Sequence, residues 1–368
     1  MKRDLEVRRG ELARVRVVEE AEPEVGPGQA LLRVDRYGLT SNNVTYAMLG
    51  DTLRYWDFFP AQSGWGRIPA WGFADVVTTR VAGLAEGVRV FGLLPMSTHL
   101  LVTAQHDNGS GFVDRSPHRA ALPAAYNHYR HLDGTDRSTA MEERRMLLWP
   151  LFSASFLIDD LLGEHRCFGA DAVVLSSASS KTAIGAAFLL RKRPGVTVVG
   201  LTSPANLAFV TGLGVYDSVV AYDALAGLPD TDTALVDLAG NARLQRQVHD
   251  RYADRLRARV IVGATHGDLG REPGDALHGP TPLFFFAADQ IRRRAREWGL
   301  GDLEDRIEVA WQGFRAASAP WFRIDRRPGP DAAVQTYLDV LQGRADPSIG
   351  HILSMWAPGF RATRPPGS

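Results

Sequence analysis

Between Asp171 and Gly263 the chain alternates short apolar runs with longer segments of helical pattern, and this alternation constrains the fold most. Asp171-Ala-Val-Val-Leu-Ser176, Val196-Thr-Val-Val-Gly-Leu-Thr202, Tyr216-Asp-Ser-Val-Val-Ala-Tyr222, Ala234-Leu-Val-Asp-Leu238 and Arg259-Val-Ile-Val-Gly263 read as strands. Lys181–Arg191, Asn206–Leu213 and Ala242–Leu256 read as helices between them. Parallel neighbours cannot be joined by a tight turn, and helical crossovers supply the connection. The expected class is α/β, with a doubly wound parallel sheet of Rossmann type over residues 151–325.

Residues 1–150 carry another pattern. Ala30-Leu-Leu-Arg-Val-Asp-Arg-Tyr37 alternates apolar and polar residues as a half-buried strand does, after turn chemistry at Glu24-Val-Gly-Pro-Gly28. Trp71–Thr78 and Gly87–Gly92 are further short strands, and Asn108–Phe112 is a loop. Short strands punctuated by glycine predict a β-rich barrel or sandwich. The change of pattern after Pro150 sets the boundary. Ala288–Trp298 reads as a basic amphipathic helix, and Val334–Gln342 as a short helix near the end.

Composition excludes more than it proposes. Lys+Arg and Asp+Glu are both 42, which removes a global electrostatic argument for nucleic acid. The one cysteine, Cys167, excludes an intrachain disulfide and a cysteine-rich metal centre. The N-terminus is charged and lacks a signal-peptide core. No run of ~18 apolar residues points to a membrane span. The expectation is a cytoplasmic protein acting on a small molecule. Arginine dominates the basic residues, and Lys2, Lys181 and Lys192 are the only lysines.

Lys181 falls in the segment with the clearest chemistry. Val173-Val-Leu-Ser-Ser-Ala-Ser-Ser-Lys-Thr-Ala-Ile-Gly185 joins a strand to a helix, and the first such turn of a doubly wound sheet carries a dinucleotide pyrophosphate. The usual glycines are replaced by small hydroxyl residues. Ser177, Ser179, Ser180, Lys181 and Thr182 are therefore the candidate phosphate ligands, with Gly185 placed for helix–strand packing. Ser180-Lys181-Thr182 also stands where a P-loop has Gly-Lys-Thr, but both signature glycines are missing. After the next strand, Thr202-Ser-Pro-Ala-Asn206 holds no carboxylate to repel a ribose 2′-phosphate. Ser203 and Asn206 would bind it, favouring NADP(H) over NAD. His266 follows the fifth strand at the edge where ligands sit.

In the N-terminal domain, Gly38–Tyr46 is dense in polar groups, and Tyr46 offers a phenol. Asp51–Pro60 is strongly aromatic; Tyr55 and Trp56 are candidate pocket walls, against the plainer reading of a turn with a satellite apolar cluster. His128 and His131, three apart in a charged stretch, read as surface residues. No histidine shows a metal-ligand spacing.

The layout of these segments resembles the medium-chain dehydrogenase/reductase superfamily, in particular its zinc-independent quinone oxidoreductase-like members. Ala30–Leu39 is similar to that family's early strand, with Thr40 and Asn43 where many members have Asn and Asp. Leu84-Ala-Glu-Gly-Val-Arg-Val-Phe-Gly92 resembles its Gly-Asp-Arg-Val-Phe-Gly segment. Ser176–Gly185 stands in place of its dinucleotide loop. Val236-Asp-Leu-Ala-Gly240 resembles its fourth strand, whose end, at Gly240, lies by the nicotinamide. The cysteine and Gly-His-Glu ligands of the zinc branch are absent, so no metal is expected. The resemblance implies a GroES-like domain over residues 1–150, to which residues 326–360 return. It also leaves a homodimer as a form of assembly.

The implied activity is NADP(H)-dependent, zinc-independent reduction of an activated carbonyl or conjugated enone. Asn43 and Tyr46 would polarise the substrate oxygen. The alternative keeps the fold without hydride transfer: the serine–lysine loop binds an anionic acyl or phosphorylated ligand, with Lys181 as base or Schiff-base amine, or the chain is a non-catalytic partner in a biosynthetic complex.

Overall fold

The computed structural model describes residues 1–107, 111–131, 138–262, 279–357 and 359. It divides into two compact units, one comprising Met1–Leu147 and the segment from Arg323 onward, the other Leu148–Phe322.

In the first unit, Gln29–Leu39 is the pivot. One edge pairs antiparallel with Pro69–Thr79. On its other edge, Gln29–Arg33 pairs with His99–Thr103. From Pro69–Thr79 the sheet continues through Arg89–Pro95, His128–His131 and Gly111–Asp114 to His99–Asp107, and so returns to its starting strand. That closure makes a barrel and satisfies edges that would otherwise be open. Tyr37–Leu39 is left over beyond the closure and pairs with Ile349–Ser354. Ile349–Ser354 runs parallel to Arg323–Pro328, with the helix Pro330–Leu341 crossing between them. Leu32, Val34, Ala74, Val90, Leu94, Val102 and Phe112 fill the core.

Several expectations for this unit need correction. Gly111–Asp114 is a strand and Phe112 is fully buried, so the loop reading fails there; Asn108, Gly109 and Ser110 lie outside the described residues. His128 and His131 are not on an exposed stretch. They flank fully buried Tyr129 on a strand and are half-buried themselves, because a strand alternates its faces whatever the charge of its outer residues. Gly38–Tyr46 is not a turn: Ser41–Met48 is a helix, begun by a capping box between Thr40 and Asn43.

Pro150 does not mark a break. It lies inside the helix Thr139–Glu164. An interior proline removes one helical hydrogen bond and costs about 3 kcal/mol. Burial of Leu147, Leu148, Phe152, Leu157, Ile158 and Leu162 offsets this. Near the helix start, Glu142 and Glu143 are almost fully buried and carry the charge partners of three arginines. Arg36 Nη2 and Arg89 Nε donate to Glu142 at 2.7 and 2.6 Å, and Arg326 Nη2 to Glu143 at 2.8 Å. Among the described residues this helix is the one long and apolar enough to cross a membrane, and 61% of its apolar window is buried within the protein.

The second unit contains a six-stranded, all-parallel sheet. Its order is Ser218–Ala221, Thr197–Thr202, Ala172–Ser176, Thr233–Asp237, Leu256–Val262, Leu283–Phe285. Numbered along the chain this is 3-2-1-4-5-6, the doubly wound order, whose switch point lies between the first and fourth strands. Lys181–Leu190, Leu207–Gly212 and Ala242–Tyr252 are helices of the connections. Gly185 does not serve helix–strand packing. A Cβ there would lie 2.5 Å from Ser155 Oγ and 3.4 Å from Phe152, so it seats the helix Lys181–Leu190 against the long helix. Ser155 Oγ also donates to the Thr182 carbonyl at 2.7 Å.

Candidate functional site

The carboxyl end of the first strand runs into the serine loop, and the loop is held from several sides. Ser177 has a φ of +52°, a left-handed conformation that glycine adopts freely and serine adopts at a cost. Its N–H donates to Tyr222 Oη at 3.0 Å. The Tyr216 hydroxyl donates to the next carbonyl, Ala178, at 2.8 Å. Two phenols from the segment after Gly214 thus splint the backbone of consecutive residues, Ser177 and Ala178. Burial raises the pKa of both, keeping them protonated. Ser180 caps the helix, its Oγ accepting from Ala183 N–H at 3.2 Å.

Lys181 is the first residue of that helix rather than part of the loop, and its Nζ lies 4.9 Å from the ring centroid of Phe322. Asn206 ends a short turn at Pro204–Asn206, and its Nδ2 donates to Ser179 Oγ at 3.1 Å. The two segments read separately for phosphate and ribose-phosphate binding therefore meet side chain to side chain. Ser203 stands at the start of that turn, half-buried.

The fourth strand end is tied to the first. Ser176 Oγ donates to the Asp237 carboxylate at 2.6 Å and accepts from the N–H groups of Leu238 and Ala239. Gln245 Nε2 donates to the other Asp237 oxygen at 2.5 Å. Gly240 follows in a left-handed turn, with nothing within 4 Å of where a Cβ would stand. His266 lies outside the described residues.

In the first unit the predicted residues Asn43, Tyr46, Tyr55 and Trp56 are all buried. The Asn43 carboxamide is engaged at both ends, its Oδ1 accepting from Thr40 N–H and its Nδ2 donating to the Pro69 carbonyl, each at 2.8 Å. Trp56 is a core wedge. A Cβ on Gly50 would fall 2.1 Å from its indole and one on Gly66 2.3 Å, so the ring fills a slot between two glycines. Tyr55 belongs to an aromatic cluster. Its ring lies 4.3 Å from Tyr46 and 6.3 Å from Tyr126, and Trp71 meets Tyr126 edge-on at 6.0 Å.

Beneath the cluster, Arg119 is fully buried between Phe58 and Phe59. It donates to Asp114 at 2.8 Å, to Tyr129 Oη at 2.9 Å and to the Tyr126 carbonyl. Burial pushes its pKa down, and Tyr129 and Asp114 more than restore it. The sequence reading missed Tyr216, Tyr222, Trp71, Tyr126 and Arg119. The first two sit at the ends of a run that reads as plain strand; the aromatic run at Asp51–Pro60 signalled half of the cluster.

Among the described residues no group of three His, Cys, Asp or Glu is placed to hold a metal ion.

Fold and loop together define one barrel unit and one doubly wound parallel unit. The chain belongs to the family described as "Protein of unknown function (DUF2855)", whose profile matches residues 37–346. A search of the curated proteins finds no match. Solved structures share the fold along almost the whole chain. CurA from Vibrio vulnificus in complex with NADPH is 12% identical, covers 97% of this chain and 100% of its own, and has a TM-score of 0.60. The quinone oxidoreductase from Coxiella burnetii is 15% identical, with 96% and 99% covered and a TM-score of 0.55. The CurK enoyl reductase is 14% identical, again with 96% and 99% covered, and has a TM-score of 0.54.

Proposed function

We propose that the protein is an NADP(H)-dependent, zinc-independent oxidoreductase that reduces an activated carbonyl or a conjugated enone in the cytoplasm. The observation carrying this reading is the Ser179–Asn206 contact. It joins the helix-start loop and the end of the second strand into one anion-facing surface at the carboxyl edge of a doubly wound sheet. Neighbours of the same fold crystallised with NADPH support it.

The residues fit the group. Ser177 keeps a glycine-like backbone turn, and the helix Lys181–Leu190 presents its first amides. Ser179, Ser180 and Thr182 add hydroxyl donors, and Lys181 adds a positive charge. Ser203 and Asn206 would hold the ribose 2′-phosphate, where no carboxylate opposes it. Tyr222 joins this set: its oxygen accepts from Ser177, which leaves its own proton for a phosphate. Gly240 leaves open space after the fourth strand for the nicotinamide end. When bound, NADPH supplies the hydride. The chain supplies orientation and a proton, and Tyr46 is the donor in this proposal. Asn43 acts by fixing the helix that carries Tyr46. Tyr55 shapes the aromatic side.

The test is calorimetric titration of the purified protein with NADPH and with NADH. The expected result is saturable binding of NADPH and weaker binding of NADH. Binding of neither overturns the proposal. NADPH binding without turnover of any enone or quinone in a panel would favour the reading in which the same fold serves a ligand without hydride transfer.

A further inference from the structure

Tyr46 has neighbours that decide which way its proton faces. A phenol oxygen offers one donor and two acceptor sites, while an indole N–H only donates. Trp71 Nε1 donates to Tyr46 Oη at 3.4 Å, and the Asn42 side chain, one turn earlier on the same helix, also acts to lower the phenol's pKa.

The indole is fixed on its other sides. Its ring stacks on Phe91 at 5.6 Å and meets Tyr126 edge-on. The spacing between the two partners is also fixed, because Asn43 Nδ2 binds the Pro69 carbonyl and so clasps the helix of Tyr46 to the strand that carries Trp71. Tyr46 itself is buried, at 7% exposure.

We propose that Trp71 is a positioning residue for Tyr46: its N–H takes an acceptor site of the phenol oxygen and leaves the phenol proton as the group to be donated to a ligand carbonyl or enolate oxygen. This rests on the reading of Tyr46 given under the proposed function. It also gives Trp71 a second effect, which Asn42 shares. Hydrogen bonds donated to an oxygen stabilise its anion, so both oppose the burial that raises the Tyr46 pKa. The titratable ring packed against Tyr46 is that of Tyr55, at 4.3 Å. Tyr55 is held protonated by burial and by its hydrogen bond to Tyr126.

The experiment is a pH titration followed by fluorine NMR of the full chain labelled with fluorotyrosine, whose phenol titrates below that of tyrosine. The Tyr46 signal is assigned by its loss in Tyr46→Phe. Trp71→Phe keeps the stack on Phe91 and removes the donor; Asn42→Leu removes the second donor and serves alone if Trp71→Phe does not fold. The expected result is an upward move of the Tyr46 midpoint by roughly half a unit to one unit in each variant, the worth of one hydrogen bond. An unmoved midpoint in a folded variant overturns the inference. Turnover of phenanthrenequinone with NADPH is measured alongside. A moved midpoint without turnover in the wild type upholds the inference and sinks the oxidoreductase reading. Turnover with an unmoved midpoint does the reverse.

Discussion

The serine loop of the second unit and the aromatic cluster of the first both hold hydroxyls in set directions, by opposite means. The loop is pinned by hydrogen bonds that reach its backbone: Tyr222 at Ser177, Tyr216 at Ala178, Ser180 at Ala183. Ser177, Ser179 and Ser180 stay half-buried. In the cluster, rings fix rings, and an ion pair, Arg119 with Asp114, is buried beside Phe58 and Phe59. Backbone pinning preserves a shape while leaving side chains available. Ring packing consumes the side chains themselves, and the proposed chemistry there rests on one phenol, that of Tyr46.

If this contrast is right, substitutions should act on stability in one region and on ligand affinity in the other. The largest expected effect is in the cluster. Arg119→Met leaves the buried Asp114 carboxylate without its cation, held by Thr103 and Ser116 alone, and should cost about 3–5 kcal/mol, read by urea denaturation. A loss below about 1 kcal/mol would mean that water reaches Asp114 and that the cluster is not sealed.

Lys181→Ala comes next. It should weaken NADPH binding by about tenfold or more, about 1.5–3 kcal/mol for a charged contact, and leave the unfolding midpoint unchanged. Unaltered affinity would take Lys181 out of the ligand surface. Tyr222→Phe leaves the Ser177 amide without its acceptor. It should cost about 1 kcal/mol in stability and weaken NADPH as well, which calorimetry and denaturation read together. Ser177→Gly is the smallest and has the opposite sign. Relief of the left-handed serine should gain about 0.5–1 kcal/mol, with NADPH binding kept. A destabilised Ser177→Gly would show that the serine hydroxyl outweighs its backbone cost.

The parallel sheet was legible because each strand–helix pair is written in contiguous residues, so local periodicity carries it. The barrel was legible only as short strands. Its closure depends on Gln29–Arg33 finding His99–Thr103, and no local pattern records that pairing. Site residues follow the same division. The loop hydroxyls could be read from the strand–turn–helix signature. Asn43 looked like a substrate ligand because its partner, the Pro69 carbonyl, is remote in sequence, and Trp56 looked like a pocket wall because the slot between Gly50 and Gly66 appears only in three dimensions. Tyr216 and Tyr222 were absorbed into a strand, since nothing in the sequence distinguishes a tyrosine that fills a core from one that splints a loop.

The helix Thr139–Glu164 bears on how this chain can be taken apart. The unit boundary at Leu147 and Leu148 falls inside it, and the return at Phe322 and Arg323 makes the first unit discontinuous. Neither unit can be released by one cut at a flexible linker. A break near Pro150 would part the turns anchored through Glu142 and Glu143 from those that seat Gly185 through Phe152 and Ser155. Expression of the dinucleotide-type unit alone would therefore begin near Ser138, ahead of the helix, carrying residues that pack elsewhere as the cost of keeping the helix whole.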